Sequence, residues 1–449
     1  MAAEILSLDA LTLRNRIASG ALSAAEVAEA YLAQIAAREP EIRAWAWHDP
    51  GFVRAQAAAM DKMRQAGRPL GALHGLPVGL KDIIDTAQIL TENGSVADRG
   101  RVPLADSFVV ERLKAEGAVI MGKTVTTELA YLQPGPTRNP HHLGHTPGGS
   151  SSGPAAAVAS AMVPLAIGTQ TAGSVIRPAS FCGVTGFKPS FGAIPRRGVL
   201  QQSQSLDTLG VFARNAADAA LLAEALYGYD PSDAASSPRP HPRLSAMVAK
   251  GAPLPPRFAV VRLPGSDRAE PQMLDAIDEL TEALGDQAFA MDLPAPFEAA
   301  SAQRQIINMA EMARNYYIYG RDHFDALGPK TQEAMQEGAG ILARDYLAAR
   351  DWREVLYAGL GQIFEHADAI LCPASLGPAP QGLDSTGDSI FNGLWTFTGC
   401  PAVSLPLLTA ENGLPMGVQL VGPRESDGRL LRTAAWLQDW AQSLSEGDA

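Results

Sequence analysis

The chain of 449 residues contains only three cysteines, Cys182, Cys372 and Cys400. They are well separated, odd in number and form no CxxC pair, which leaves no basis for a disulfide framework or a cysteine-built zinc site. Charged residues are sparse at 19%, and their balance is acidic, with a net charge of −12. Phosphate backbones and anionic membranes demand a clustered positive surface, so neither a nucleic-acid nor a membrane partner is expected. No uncharged apolar run reaches the length of a bilayer span. The opening MAAEILSLDA lacks the basic and apolar regions of a secretory signal. A cytoplasmic, reducing compartment is the expectation. Aromatic residues amount to 6%, within a hydrophobic content of 46%. That composition fits a soluble globular protein with one large core or two ordinary ones.

What the chain has in quantity is glycine and proline, 42 and 33 residues. They concentrate meaning in one stretch, Gly144 to Pro189. It holds two small-residue loops, GGSSSG and TQTAGS, separated by a small-residue helix and a short apolar strand, Val163 to Ile167. Glycine is placed where a backbone must bend sharply or approach a ligand. Two such serine-bearing loops in succession read as a site.

Along the chain, Ser23 to Glu26 forms a capping box. It starts a helix through Val27, Tyr31 and Ile35 that Pro40 is expected to end. A second helix is predicted from Phe52 to about Gln65, closed by Gly67. In LHGLPVGLKDIID (Leu73 to Asp85), Val78 to Leu80 suit a buried strand with Lys81 at its end. Local sequence alone reads Lys81 as a surface residue. Ala118 to Met121 form a strand before Gly122-Lys123-Thr124. GAVIMGKT has P-loop spacing, but its variable positions are apolar, whereas a phosphate cradle wants small, turn-forming residues. No nucleotide is expected there. His141, His142 and His145 crowd a Pro/Gly-rich loop without a carboxylate or cysteine close by, and no metal is assigned to them.

Residues 230–256, rich in Pro, Ser and Ala, read as a surface crossover between ordered and floppy. A strand is predicted at Phe258 to Arg262. Helices are predicted over 270–284, 298–326, 329–366 and 427–442, and strands near 369–371, 402–407 and 417–421. The alternation indicates one α/β sheet with both faces covered.

Two serines compete for the chemistry. GSSSG fits the GxSxG nucleophile elbow with Ser151, yet no strand precedes it and no later histidine is well placed. Ser174 fits better. It follows an apolar strand and a turn of small residues whose free N–H groups can hold an oxyanion. It needs a base, and no histidine is near in sequence, which draws attention to Lys81 and the GGSSSG serines.

These residues carry a resemblance. LHGLPVGLKDIID, GAVIMGKT, GPTRNP, GGSSSGPAAAVAS, GTQTAGSVIRPASFCGVTGFKP, SLDTLG, GCPAVSLPL and GLPMGVQLVGP occur in the order of the amidase signature family, and the chain resembles that family along nearly its whole length. The resemblance implies one α/β domain, a large mixed twisted sheet with helices on both faces. Within it, 1–67 is a helical segment, 68–229 the catalytic core, 230–256 the crossover, and 257–449 the rest of the sheet and a helical cover. It implies a triad of Ser174 as nucleophile, Ser150 as proton relay after a cis peptide, and Lys81 as base. It also implies an oxyanion hole from the backbone N–H groups of Thr171, Ala172, Gly173 and Ser174. Tyr131, Gly149, Ser151, Gln170, Tyr316 and Tyr319 are expected to border the substrate, with Tyr316 and Tyr319 equally explained as helix packing. No cofactor is implied.

The expected activity is hydrolysis of an amide, aryl amide, urea-like or carbamate C–N bond, with small molecule and water as partners and a homodimer left open. The alternatives are the A-type component of an amidotransferase for misacylated tRNA and a catalytically silent scaffold. The family core runs close to the chain's end, so the second catalytic domain of allophanate hydrolases is not expected. The sequence departs from the family at three positions, one of them Val125, which follows GKT where Asn is common. An Asp four residues before the nucleophile and an Arg two after it, common in relatives, are here Gln170 and Ile176. A neutral replacement of that pair is expected.

Overall fold

Val78-Gly79-Leu80, Val119-Ile120-Met121, Leu165-Ala166-Ile167 and Leu209-Gly210-Val211-Phe212 are short apolar runs with no polar alternation. Such runs belong to strands covered on both faces. In the computed structural model, which describes residues 2–447, each lies in a strand buried along its full length: β2 (Pro77–Lys81), β3 (Val119–Thr124), β4 (Leu165–Gln170) and β6 (Thr208–Ala213). With β1 (Trp45–His48), β5 (Thr185–Lys188), β7 (Phe258–Val261), β8 (Ala288–Met291), β9 (Ala369–Pro373), β10 (Ala402–Thr409) and β11 (Pro415–Val421), they form one 11-stranded sheet. The order is β1-β3-β2-β4-β6-β5-β10-β11-β9-β7-β8. The sheet is mixed: β2 runs parallel to β3 and β4, while β4 is antiparallel to β6. Both halves of the chain contribute strands, so the fold is a single α/β domain with helices on both faces.

The register sets the site. Leu80 lies opposite Ile167, so Lys81 and Thr169 leave the carboxyl ends of two adjacent parallel strands. Gln170 pairs with Thr208 of β6. Ligand sites in open α/β sheets collect at such carboxyl ends.

Several local expectations change. Pro40 lies inside the Ala24–Ile42 helix rather than ending it. It falls in the last turn, where its missing N–H costs a single intrahelical bond. β4 continues past Ile167 to Gln170, because β6 offers it a partner that local sequence does not reveal. The segment 298–326 is broken at Tyr316 into the Ala300–Asn315 and Tyr317–Asp322 helices and a short turn. The segment 329–366 divides around Gly340 into Pro329–Ala339 and Ala343–Phe364. The 230–256 crossover is tied down: Asp233 pairs with Arg196 at 2.8 Å and Asp230 with Arg197 at 2.6 Å, and Leu244–Ala249 is helical.

Candidate active site

Lys81 ends β2 with its side chain wholly buried. Its Nζ donates to Ser150 Oγ at 2.7 Å and to Thr169 Oγ1 at 2.9 Å. Loss of solvent is the main force on this ammonium and pushes its pKa down to about 7, against the pull of the Asp207 carboxylate. Ser150 is itself buried, at 2% exposure, and the Gly149–Ser150 peptide is cis. Ser174 is half-buried, in the turn between β4 and the Ile176–Cys182 helix. Among the described residues, none of the backbone N–H groups of Thr171, Ala172, Gly173 and Ser174 donates a hydrogen bond. A run of free N–H groups at a strand-to-helix turn is suited to hold developing negative charge.

That turn is held from several sides. The Thr171 hydroxyl donates to Asp207 Oδ1 at 2.6 Å. Burial raises the Asp207 pKa to about 6, opposed by the Thr171 hydroxyl, the Ser203 and Gln202 N–H groups and the Arg196 guanidinium. Thr396 Oγ1 donates to the Ala172 carbonyl at 2.8 Å. Gly173 is pressed against the Ile390–Phe397 helix, where a Cβ would lie 2.3 Å from Asn392 Oδ1. Only glycine fits there.

Gln170 is fully buried, and its Oε1 accepts from the N–H groups of Val175 at 2.9 Å and Ile176 at 3.0 Å, capping the helix behind Ser174. Its Nε2 donates to Thr396 Oγ1 at 2.9 Å. Ile176 is buried in an apolar cluster with Leu206 and Phe391. Where the family resemblance implies a charge pair, this chain has a neutral cap beside an apolar contact. Arg177, one residue later, turns toward the other loop and donates to the Gly149 carbonyl at 2.6 Å and to Thr386 Oγ1 at 3.2 Å.

A sequence model of the amidase family matches residues 26–431. The chain belongs to the amidase signature family. The A component of the glutamyl-tRNA(Gln) amidotransferase of Streptomyces coelicolor is 33% identical over 491 aligned positions that cover 99% of each protein. A solved structure from an unexpected vestigial protein complex, one that reveals the evolutionary origins of an s-triazine catabolic enzyme, superimposes with a TM-score of 0.90 at 32% identity, covering 96% of this chain and 98% of the other. The peptide amidase of Stenotrophomonas maltophilia matches with a TM-score of 0.82 at 28% identity over 97% of each chain. As a member of this family the chain is an enzyme, an amidase.

The remaining expected site residues of the amidase scatter in role. Ser151 is fully buried; its Oγ donates to the Thr169 carbonyl at 3.1 Å and accepts from the Thr169 N–H at 3.2 Å, bolting the GGSSSG loop to β4. Gly149 abuts Thr386, whose methyl would stand 2.7 Å from any Cβ. Tyr131 is half-buried with its hydroxyl 3.9 Å from Met309 Sδ. Tyr316 is buried and donates to the Leu129 carbonyl at 2.7 Å, and Tyr319 donates to Asp98 at 2.6 Å. Both hydroxyls therefore brace neighbouring segments.

Lys123, of the P-loop lookalike, lies inside β3. It is buried against Asp82 at 3.2 Å and donates to Thr91 Oγ1 at 2.6 Å. The His141 ring is 2.9 Å from the Cys182 carbonyl, and His142 and His145 meet edge to face. Among the described residues, no three His, Cys, Asp or Glu side chains gather as a metal site, and no helix is long and apolar enough to cross a membrane.

Sequence reasoning missed Thr169, Asp207, Asn392 and Thr396. Asp207 stood within the recognised SLDTLG segment. Asn392 and Thr396 lie on a helix that carried no sequence signal, and they reach the site only through the fold.

Proposed function

We propose that the chain hydrolyses the C–N bond of a small amide through an acyl-enzyme on Ser174, in a reducing, cytoplasmic setting. The observation that carries this reading is the buried Lys81, whose Nζ lies 2.7 Å from Ser150 Oγ. An ammonium with pKa near 7 is substantially neutral at physiological pH and able to accept a proton. Neutral Lys81 takes the Ser150 proton as Ser150 takes that of Ser174, and Ser174 Oγ attacks the carbonyl carbon. The N–H groups of residues 171–174 stabilise the oxyanion. The proton returns through Ser150 to the leaving nitrogen, the C–N bond breaks, and water attacks the acyl-enzyme along the reverse path. Carboxamides, aryl amides, urea-like groups and carbamates all offer this carbonyl.

A second reading, a component of a tRNA-dependent amidotransferase, draws on the 33% identity to one part of that enzyme. The net charge of −12 weighs against a direct tRNA surface on this chain.

The test is mass spectrometry of the protein quenched during turnover of an amide panel. Wild type should carry the acyl adduct, and Ser174→Ala should carry none and lose at least about 1,000-fold in kcat. Ordinary turnover by Ser174→Ala would remove Ser174 from the reaction. Turnover by the isolated chain separates a self-sufficient hydrolase from a component that requires partners.

A further inference from the structure

Arg304 lies on the Ala300–Asn315 helix and is only 8% exposed. Its Nε and Nη1 have no hydrogen-bond partner, and Nη2 reaches only Gln305 Oε1 at 3.4 Å. Buried charges are ordinarily paired, since an unpaired guanidinium forfeits its hydration without recompense. The side chain is held in place by the Ile390–Phe397 helix, where a Cβ on Gly393 would stand 2.7 Å from Arg304 Nε.

Arg304 lines a cavity of about 380 Å³ together with Ser389, Gly393, Leu394, Phe297 and Leu263. That volume suits a small molecule. The cavity borders the catalytic turn, because Ser389 Cβ lies 2.8 Å from the position a Cβ of Gly173 would take.

Cations and carboxylates both stand near this cavity, and Asp388 attracts Arg304 as well as Arg177. Arg177, also buried, is close enough to repel Arg304, and Arg268 stands on the cavity wall. The carboxylates that face them are Glu298, exposed on the rim, and Asp388. Asp388 is already engaged, by Arg268 at 2.5 Å and the Ile390 N–H at 2.9 Å. With Arg268 engaged by Asp388 and Arg177 by the Gly149 carbonyl, Arg304 is the guanidinium left with unpartnered N–H groups, and this leaves room for an anion. The planar fork of Arg matches a carboxylate in two-point contact.

We propose that Arg304 receives a carboxylate of the substrate, so that the preferred amides are small molecules with a carboxylate in the same acyl or amine fragment that enters this cavity. This rests on the amidase reading above. Arg304 then sets specificity while Ser174, Ser150 and Lys81 supply the chemistry.

The experiment compares kcat/KM for monoamides of three- to five-carbon dicarboxylic acids with the corresponding diamides. Wild type should favour the monoamide by about 100-fold, and Arg304→Gln should bring that ratio near one, with Arg304→Lys between. A wild type indifferent to the carboxylate, or an Arg304→Gln variant that slows both substrates equally, overturns the proposal. If Arg304→Gln does not fold, competitive inhibition of wild type decides. Inhibition by the free dicarboxylates but not the diamides supports the proposal, and equal or absent inhibition by both overturns it. Amide turnover that Ser174→Ala abolishes keeps the hydrolase reading standing even when the carboxylate preference fails, so the two failures are distinct.

Discussion

Arg177 Nη2 donates to the Gly149 carbonyl at 2.6 Å. The contact joins the two serine loops: Arg177 belongs to the helix that follows Ser174, and Gly149 precedes Ser150. It fixes the peptide that carries the Ser150 hydroxyl toward Lys81. Arg177 is therefore a positioning residue.

Replacing it with an apolar side chain of similar length leaves the buried Gly149 carbonyl without its donor. Arg177→Met should cost about 1–3 kcal/mol of stability and lower kcat by at least about 10-fold with a smaller change in KM. Thermal unfolding and steady-state kinetics check both. Unchanged kcat in a stably folded variant would disconnect Arg177 from Ser150.

Burial holds the Lys81 pKa near 7, whereas in the unfolded chain it returns to about 10.4. Only the neutral amine is a base, so kcat/KM should rise with pH up to about 7 and level off above it. Stability follows the same protons. Between about pH 7 and 10 the unfolded chain binds more protons at this site than the folded one, so stability rises with pH across that window. Lys123 and Lys188, both pushed by burial to about 8, add to the slope. Lys81→Met should abolish turnover and make the slope shallower, as read from denaturant midpoints between pH 6 and 10. A flat pH–rate profile between pH 5 and 8 would remove Lys81 as the base.

Gln170 both accepts from the helix N-terminus and donates to Thr396. Gln170→Glu keeps the acceptors but loses the donor and buries a charge with no cation at Ile176 to meet it. The carboxyl pKa in the folded variant should therefore stand above its unfolded value. The variant should be destabilised by about 1–3 kcal/mol at pH 8 and recover part of this at pH 5, where the acid is protonated. Equal denaturant midpoints for wild type and variant at pH 8 would show that the site tolerates the charge.

Much of this architecture is legible in the sequence, for reasons that differ by element. β2, β3 and β4 announce themselves because strands covered on both faces are continuous apolar runs, and Ser23 to Glu26 marks a helix start within four residues. β6 is a weaker case of the same apolar run: Thr208–Ala213 has only Leu209 to Phe212 to mark it, and its place between β4 and β5 comes from pairing that local sequence does not show. The Lys81 side chain reads as a surface lysine locally. It is buried because Thr169 and Ser150, 88 and 69 residues away, come to meet it. Arg304 is hidden for the same reason: nothing in QRQII tells that a second helix will close over the guanidinium. Contacts made by distant segments determine these positions, and local periodicity carries no record of them.

The sheet order has an evolutionary consequence. Lys81, Ser150, Ser174 and Asp207 all precede the crossover at 230–256, whereas the 380 Å³ cavity is walled by residues from Leu263 to Leu394. Lys81, Ser150 and Ser174 thus lie in one contiguous stretch of the gene, and the cavity wall lies in another together with Asn392 and Thr396, which hold the turn before Ser174. Exchange of the later stretch between relatives would reshape the cavity and, through Asn392 and Thr396, the footing of the turn that carries Ser174 as well.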